Sequence, residues 1–383
     1  MKILILSDIE AGGEWIATQT LIEKLRKKNE RLKFYLITSS KNKSLLKESL
    51  FKKIVYLDNK KYSKPFKHYR EFFYLLASGK KTISCVCKQH KFDCVITTNY
   101  ILAISYLISQ KKSNYIYFFH GISNNYKIFI NSFNHYVIFQ KILEVFAWAM
   151  GQKLIVPSIN ARNVLNVHSF SLLKNKASII VPNLIRDEFK KRFSQSELSR
   201  FKKNLKIKKK KIVLYSGRLA SDKGIENLIY AFLAMTKKNP KVVLIILYPN
   251  KPKIEFLREI RIIIGKRSGV LFINNPPTKE LSILYQTSDL AILPSPFEIS
   301  SLFIHEALMS GLPIISTNTG DAYSLLSKRF ILKDNVAKTI HNKINDYFNN
   351  EREYKKKFLE ITKKFKLLYN EKKIMNRWIK ILK

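Results

Sequence analysis

Short uninterrupted apolar runs recur along the chain, each followed by a turn-forming stretch and then by residues with helical apolar spacing. The runs at 2–7, 33–38, 53–57, 92–97, 115–119, 154–158 and 178–181 read as strands, as do 212–216, 242–248, 269–273, 290–293 and the run opening at 314. Continuous rather than alternating apolarity is the mark of strands buried on both faces. Between them, 15–27, 135–150, 225–235 and the stretch before Gly311 read as helices. Strands alternating with helices predict parallel sheets covered by helices on both sides, an α/β architecture. In 135–150, Phe139, Ile142, Leu143, Phe146 and Met150 keep helical spacing and are expected to face a domain core.

The most informative unit follows the run Leu290–Leu293. Pro294 and Pro296 end the strand, Ser300 and Ser301 are placed to cap a helix, and Leu302, Phe303, Ala307 and Leu308 give that helix an apolar face. Gly311 suits the left-handed residue past a helix end, and Pro313 forbids continuation. Backbone N–H groups at such a helix start, with the helix dipole, form an anion site. One carboxylate, Glu298, lies in the loop and another, Glu306, in the helix. A carboxylate repels phosphate and suits hydroxyl groups, so the pattern points to a ligand with sugar rings on both sides of a phosphate. A second strand–loop–helix unit opens the chain, with Gly12 and Gly13 in the loop after 2–7. It lacks the G-x-G-x-x-G spacing of dinucleotide sites, and a plain βα turn explains it equally well.

Composition narrows the picture. The 383 residues, 46% of them hydrophobic, allow two domains with substantial cores. No apolar run reaches the ~20 residues that span a bilayer, and the opening residues read as a strand rather than a signal peptide. Cys85, Cys87 and Cys94 supply neither a disulfide framework nor a complete metal set, in keeping with a reducing cytoplasm. The net charge of +42 changes the picture most. It has two readings: an anionic partner such as lipid, nucleic acid or a phosphorylated substrate, or a compositional bias in which Lys, Ile, Asn, Phe and Tyr rise together. The run 202–211 reads as a solvated basic stretch, with a nucleic-acid patch the minor alternative. Lys41, Lys43, Lys47, Lys52, Lys53, Lys60, Lys61, Lys64 and Lys67 alternate with Leu45, Leu46, Phe51 and Phe66, a mixture that suits an anionic membrane surface.

Glu298 and Glu306 match the E-x7-E signature of retaining GT-B glycosyltransferases, and the chain most resembles glycosyltransferase family 4. Ser288-Asp-Leu-Ala-Ile-Leu-Pro-Ser295 resembles the family's "aDv-vlPS" strand, and Glu306-Ala-Leu-Met-Ser-Gly-Leu-Pro-Ile-Ile315 its "EAma-G-PVi" helix and strand. The stretch from Ser216-Gly217-Arg218 to Lys223-Gly224 resembles "vGRl-xx-KG". The resemblance implies two Rossmann-like domains facing each other across a cleft. It assigns 1–185, with a returning C-terminal helix 366–383, to the acceptor side and 186–365 to the nucleotide-sugar donor. It implies that Glu306 accepts hydrogen bonds from ribose hydroxyls. Glu298, with amides near Ser300, Ser301 and Leu302, then holds the donor sugar. Arg218 and Lys223 stabilise the departing diphosphate, framed by Ser216, Gly217, Thr319 and Gly320. His120 lies near the reacting centre, and Gly12 and Gly13 line the acceptor side. The arginine fork and the lysine point charge suit phosphate oxygens. With no D-x-D pair, they stand in for a metal, and no cofactor is expected.

Three departures stand out. The family's Glu-Gly-Phe-Gly-Leu is Glu298-Ile-Ser-Ser-Leu302 here, its second glycine loop carries Thr319, and Leu184, Ile185 and Arg186 replace the Gly-Val-Asp that follows Pro-Asn. The resulting expectation is a retaining, metal-independent glycosyltransferase using a nucleotide-sugar and a glycan or lipid-linked acceptor in bacterial cell-surface polysaccharide or glycolipid assembly. It is expected in the cytoplasm, peripheral at the inner face of the cell membrane. A GT-B nucleotide-sugar epimerase, or a non-catalytic basic protein binding membrane or nucleic acid, is the alternative.

Overall fold

The computed structural model describes residues 1–9, 12–39, 45–58, 67–111, 114–121, 135–174, 176, 178–207, 211–236, 241–249, 252–265 and 269–383. Lys41, Lys43, Lys60, Lys61, Lys64 and Phe66, part of the expected basic surface, lie outside the described residues. The chain divides into two compact units, Met1–Leu184 joined by Lys372–Lys383, and Ile185–Glu371.

In the first unit the strands are β1 (Lys2–Leu6), β2 (Lys33–Thr38), β3 (Phe51–Tyr56), β4 (Cys94–Thr97), β5 (Tyr115–Phe118), β6 (Lys153–Val156) and β7 (Ser178–Ile180). The helices are α1 (Gly13–Lys28), α2 (Lys67–Gln89), α3 (Tyr100–Gln110), α4 (His135–Met150) and α5 (Ile159–His168). Among the described residues the strands form one parallel sheet in the order β3-β2-β1-β4-β5-β6-β7. Its central strands are apolar throughout because helices cover both faces: Ile3, Leu4, Ile5 and Leu6 are all at most 1% exposed. Asn99 and Ser158 cap α3 and α5, each accepting from the N–H three residues on, at 3.0 and 3.1 Å.

Helix α4 corrects one expectation. Ile142, Phe146 and Met150 are exposed, while Val137, Lys141, Glu144, Ala147 and Trp148 face inward. The helix is apolar around most of its circumference, so periodicity alone could not choose its face. Burying the other face is possible because Lys141 and Glu144 neutralise each other at 2.7 Å and Lys141 lies 5.5 Å from the Trp148 ring centroid. Phe139 is half-buried in an aromatic cluster with Tyr69 and Phe72 of α2.

The second unit contains α6 (Gln195–Asn204), β8 (Lys211–Ser216), α7 (Ile225–Thr236), β9 (Val242–Tyr248), α8 (Ile254–Ile264), β10 (Val270–Asn274) and α9 (Thr278–Thr287). It continues with β11 (Leu290–Leu293), α10 (Leu302–Ser310), β12 (Ile314–Thr317), α11 (Ala322–Leu325), β13 (Ile331–Leu332), α12 (Ala337–Asn349) and α13 (Glu351–Leu368). Among the described residues its strands form a parallel sheet in the order β10-β9-β8-β11-β12-β13. The order reverses between β8 and β11. Such switch points open a crevice beyond the carboxyl ends of strands, where doubly wound sheets take their ligands. Lys211, the last of the basic run, is drawn into β8, where its half-exposed side chain pairs with Glu351 at 2.9 Å and Asp289 at 3.2 Å.

The last helix, α14 (Glu371–Leu382), returns from Lys372 onward to the first unit. Trp378, 1% exposed, sits edge-on to Phe118 of β5 at 4.9 Å, and Lys153 donates to the Ile381 carbonyl at 2.6 Å.

Candidate functional site

In the second unit, two loops converge past β8 and β11. The loop after β8 is shaped from below by Tyr215, whose buried hydroxyl donates to the Arg218 carbonyl at 3.0 Å. Gly217 passes so close that an added Cβ would lie 2.6 Å from that hydroxyl. The loop ends at Gly224, left-handed at φ +68°, where a Cβ would meet the Pro294 carbonyl oxygen at 2.5 Å. Glycine at that position lets the loops touch.

Their side chains then meet. Lys223 donates to Glu298 at 2.8 Å, and both side chains are less than one-fifth exposed. Arg218 pairs with Asp222 at 2.9 Å, and Asp222 also lies 4.0 Å from Lys223. The Glu298 N–H donates to the Thr319 hydroxyl at 2.6 Å. Gly320, at φ +53°, brings its backbone against Glu298, with an ideal Cβ 3.2 Å from the glutamate Cβ. Glu298, Lys223, Arg218, Gly217, Thr319 and Gly320 thus form one cluster at the carboxyl ends of β8, β11 and β12.

Helix α10 begins after Ser301, with Leu302 its first residue. Ser301 occupies the cap position but its hydroxyl makes no capping bond, and Ser300 instead donates to Asp321 Oδ2 at 2.6 Å. The expected serine cap is therefore replaced by a tie to the β12 loop. Asp321 also lies 3.4 Å from His305 Nε2. Gly311 closes the helix at φ +78° as the sequence predicted, and the Leu312 N–H reaches the Ala307 carbonyl at 2.9 Å.

Glu306 is buried one turn into α10, 4% exposed. Arg186 donates to its Oε1 from Nε at 3.0 Å and from Nη2 at 2.6 Å. Tyr285 donates to Oε2 at 3.1 Å. Burial first, and the Glu306 charge second, push the Tyr285 phenol well above its ordinary range, so it stays a donor, and the Ser216 side chain hydrogen-bonds it in turn. Ser216 therefore reaches the site through Tyr285.

In the first unit, Gly12 precedes α1 in an extended conformation (φ −175°) with open space around its Cα, and Gly13 is the first helical residue. His120 follows β5, and the next residue, Gly121, approaches the Glu14 carboxylate of α1, so these loops adjoin. Its ring packs on Phe118 at 3.8 Å, and Nε2 is buried with no hydrogen-bond partner among the described residues. Burial holds the His120 imidazole down at about 3, so it is neutral at any physiological pH. Asp8, at the end of β1, ties the neighbouring strands together by accepting from Ser39 and from Asn99 at 2.6 Å. Burial raises its carboxyl above the usual range despite those bonds.

The sequence reading missed Asp222, Tyr285, Asp321 and Asp8 as parts of these networks. Arg186 had a signal, since it puts a cation where the family pattern has an aspartate. Tyr285 sits in an unremarkable amphipathic helix and Asp321 past a glycine, so only packing identifies them. A hollow of about 300 Å³, lined by Arg192, Tyr285, Gln286 and Gly311 among others, opens at the other end of α10.

The family described as Glycosyl transferases group 1 matches residues 197–365, just under half of the chain. An uncharacterized glycosyltransferase of Methanocaldococcus jannaschii is 25% identical over 159 residues, 41% of this chain and 40% of the relative. The D-inositol 3-phosphate glycosyltransferase of Corynebacterium efficiens is 29% identical over 115 residues, 29% of this chain and 27% of the relative. The chain thus spans less than half the length of these curated relatives. A crystal structure of Anabaena HepE in complex with UDP and glucose superposes with a TM-score of 0.78 at 18% identity, covering 100% of this chain and 99% of that one. The fold is GT-B, with two parallel-sheet Rossmann-like units.

Proposed function

We propose that the protein is a glycosyltransferase that moves a sugar from a nucleotide-sugar to an acceptor with retention at the anomeric carbon and without a metal ion. The Lys223–Glu298 pair carries this reading: a cation and a carboxylate, both sheltered, held together at a switch point beside Gly320 and next to Arg218. A diphosphate entering this loop takes Lys223 and Arg218 as counter-charges. Glu298, released from Lys223, is then a free acceptor for sugar hydroxyls. As the glycosidic bond breaks, negative charge grows on the leaving phosphate, and cations already in place stabilise that growth most. The leaving phosphate takes the acceptor's proton in a same-face displacement. A covalent intermediate would need a carboxylate nucleophile at the sugar, whereas the clustered Glu298 is assigned to hydroxyl recognition. His120 is assigned near the reacting centre as a neutral aromatic group rather than a charge.

Thermal shift with UDP, GDP and ADP tests the donor assignment, because a ligand that binds only the folded state raises its stability. The HepE structure makes UDP the first choice. One of the three is expected to raise Tm, with turnover of its sugar unchanged in excess EDTA. No shift with any nucleotide, or activity abolished by EDTA and restored by Mn²⁺, would count against the reading. Incubation of the donor without acceptor separates transfer from epimerisation.

The proposed setting is the cytoplasmic face of a membrane, with a lipid-linked acceptor and an anionic lipid surface as partner; nucleic acid is not the expected partner. Among the described residues no helix is long and apolar enough to cross a membrane. Ile138, Ile142, Phe146 and Met150 form an exposed stripe on α4, and Phe73 is exposed on neighbouring α2 beside the exposed Lys67, Arg70, Lys80 and Lys81. This apolar face with a basic margin is the better candidate for lipid contact, since each basic residue near an anionic bilayer contributes about 1 kcal/mol. Flotation with anionic liposomes at low salt should carry the protein upward, and Ile142→Asp with Phe146→Asp should abolish it. Indifference of the wild type to anionic vesicles would remove the membrane from the proposal.

A further inference from the structure

Arg186 is the most specific departure of this chain from the family pattern, and the structure places it on Glu306. Its guanidinium forks onto a single oxygen, Oε1, at 3.0 and 2.6 Å, with only 16% of the side chain exposed and its planar group 4.8 Å from the Phe189 ring. Tyr285 occupies one place on the other oxygen at 3.1 Å. A carboxylate offers about four acceptor places, two on each oxygen. Among the described residues three of the four on Glu306 are filled, and the remaining one is on Oε2. A ribose diol grips a carboxylate with two hydroxyls; here there is room for one. Displacing Arg186 to make room would leave a buried carboxylate, 5% exposed, in contact with neutral groups alone.

We infer that Arg186 is a positioning residue that limits Glu306 to a single ribose hydroxyl, so that the nucleoside subsite accepts 2′-deoxyribonucleoside diphosphates as readily as ribonucleoside diphosphates. Either hydroxyl of a ribose can fill the one open place, and a 2′-deoxyribose still brings its 3′-hydroxyl. The inference rests on the proposed donor site and names the donor class it admits. Lysine at 186 keeps the charge but replaces the forked pair by a single point contact, which reopens a place on Oε1 for the second hydroxyl.

The test is calorimetric titration of the full-length protein with UDP and 2′-deoxy-UDP, GDP and 2′-deoxy-GDP, and ADP and 2′-deoxy-ADP. For the base that binds, the two dissociation constants of the wild type should agree within about threefold. In Arg186→Lys the ribonucleotide should gain an advantage of about tenfold or more, the value of one added hydrogen bond to a charged group. A purely structural role for Arg186 would weaken both forms alike and leave the ratio unchanged, which overturns the inference. So does a wild type that already prefers the ribonucleotide tenfold, a result that needs no variant. Failure of all six to bind overturns the donor site itself, and this inference with it.

Discussion

Lys223→Ala is expected to lower turnover by on the order of 100-fold, the usual loss when one preorganised charge-stabilising donor is removed. Lys223 is held by Glu298 at 2.8 Å with its side chain 15% exposed, so its ammonium is fixed before any ligand arrives. Alanine also leaves Glu298 without that partner in a sheltered position, so part of the loss will appear as weakened donor affinity. Comparing Lys223→Ala with Lys223→Ala/Glu298→Gln separates the two. The double variant should recover affinity for the nucleoside diphosphate but not turnover. Arg218→Ala should cost turnover by a similar factor and less stability, since Arg218 is 43% exposed and its partner Asp222 remains within 4.0 Å of Lys223. Near-normal turnover in both single variants would remove the site assignment.

Gly224→Ala should be the most damaging small substitution in the second unit. An alanine at φ +68° costs about 1–2 kcal/mol from its own backbone. Its Cβ also meets the Pro294 carbonyl oxygen at 2.5 Å, and that oxygen belongs to the backbone, so the loop must move. Overpacking of this kind costs a further 1–3 kcal/mol or so. The sum, roughly 3 kcal/mol, corresponds to a fall in Tm of about 6–12 °C for a domain of this size. Gly12→Ala is the control. It adds a Cβ to open space at an extended backbone position, and the expected change is under about 1 kcal/mol. Equal effects of the two substitutions would refute the claim that glycine at 224 is required by the contact between the two loops.

Most strands were legible because burial on both faces leaves a continuous apolar run that few other structures produce. β2, β9 and β11, and the ends of α4, fall where the apolar pattern put them. The α4 face was not legible, because its outcome hinged on a lysine and a glutamate three residues apart choosing each other over water. At the site, the residues carried by short loops beside strands, Lys223, Glu298 and Gly320, were visible as motifs. The residues that fix their surroundings come from distant segments. Arg186 reaches across 120 positions to Glu306, and Ser300 across 21 to Asp321. Local sequence cannot announce such pairings, although a charge reversal inside a familiar turn, as at Arg186, is a usable hint.

The return of α14 to the first unit has a consequence for how the molecule is made. Met1–Leu184 leaves the ribosome before any of Ile185–Glu371, yet the first unit is completed only by Lys372–Lys383. At about 5–20 residues per second the intervening segment takes on the order of 10–40 s to synthesise. During that interval Phe118, which Trp378 later covers, faces water or a chaperone, while the second unit has all its strands in hand as soon as it emerges. The half of the molecule translated first is thus the half finished last, and its closing step joins segments separated by the whole of the second unit.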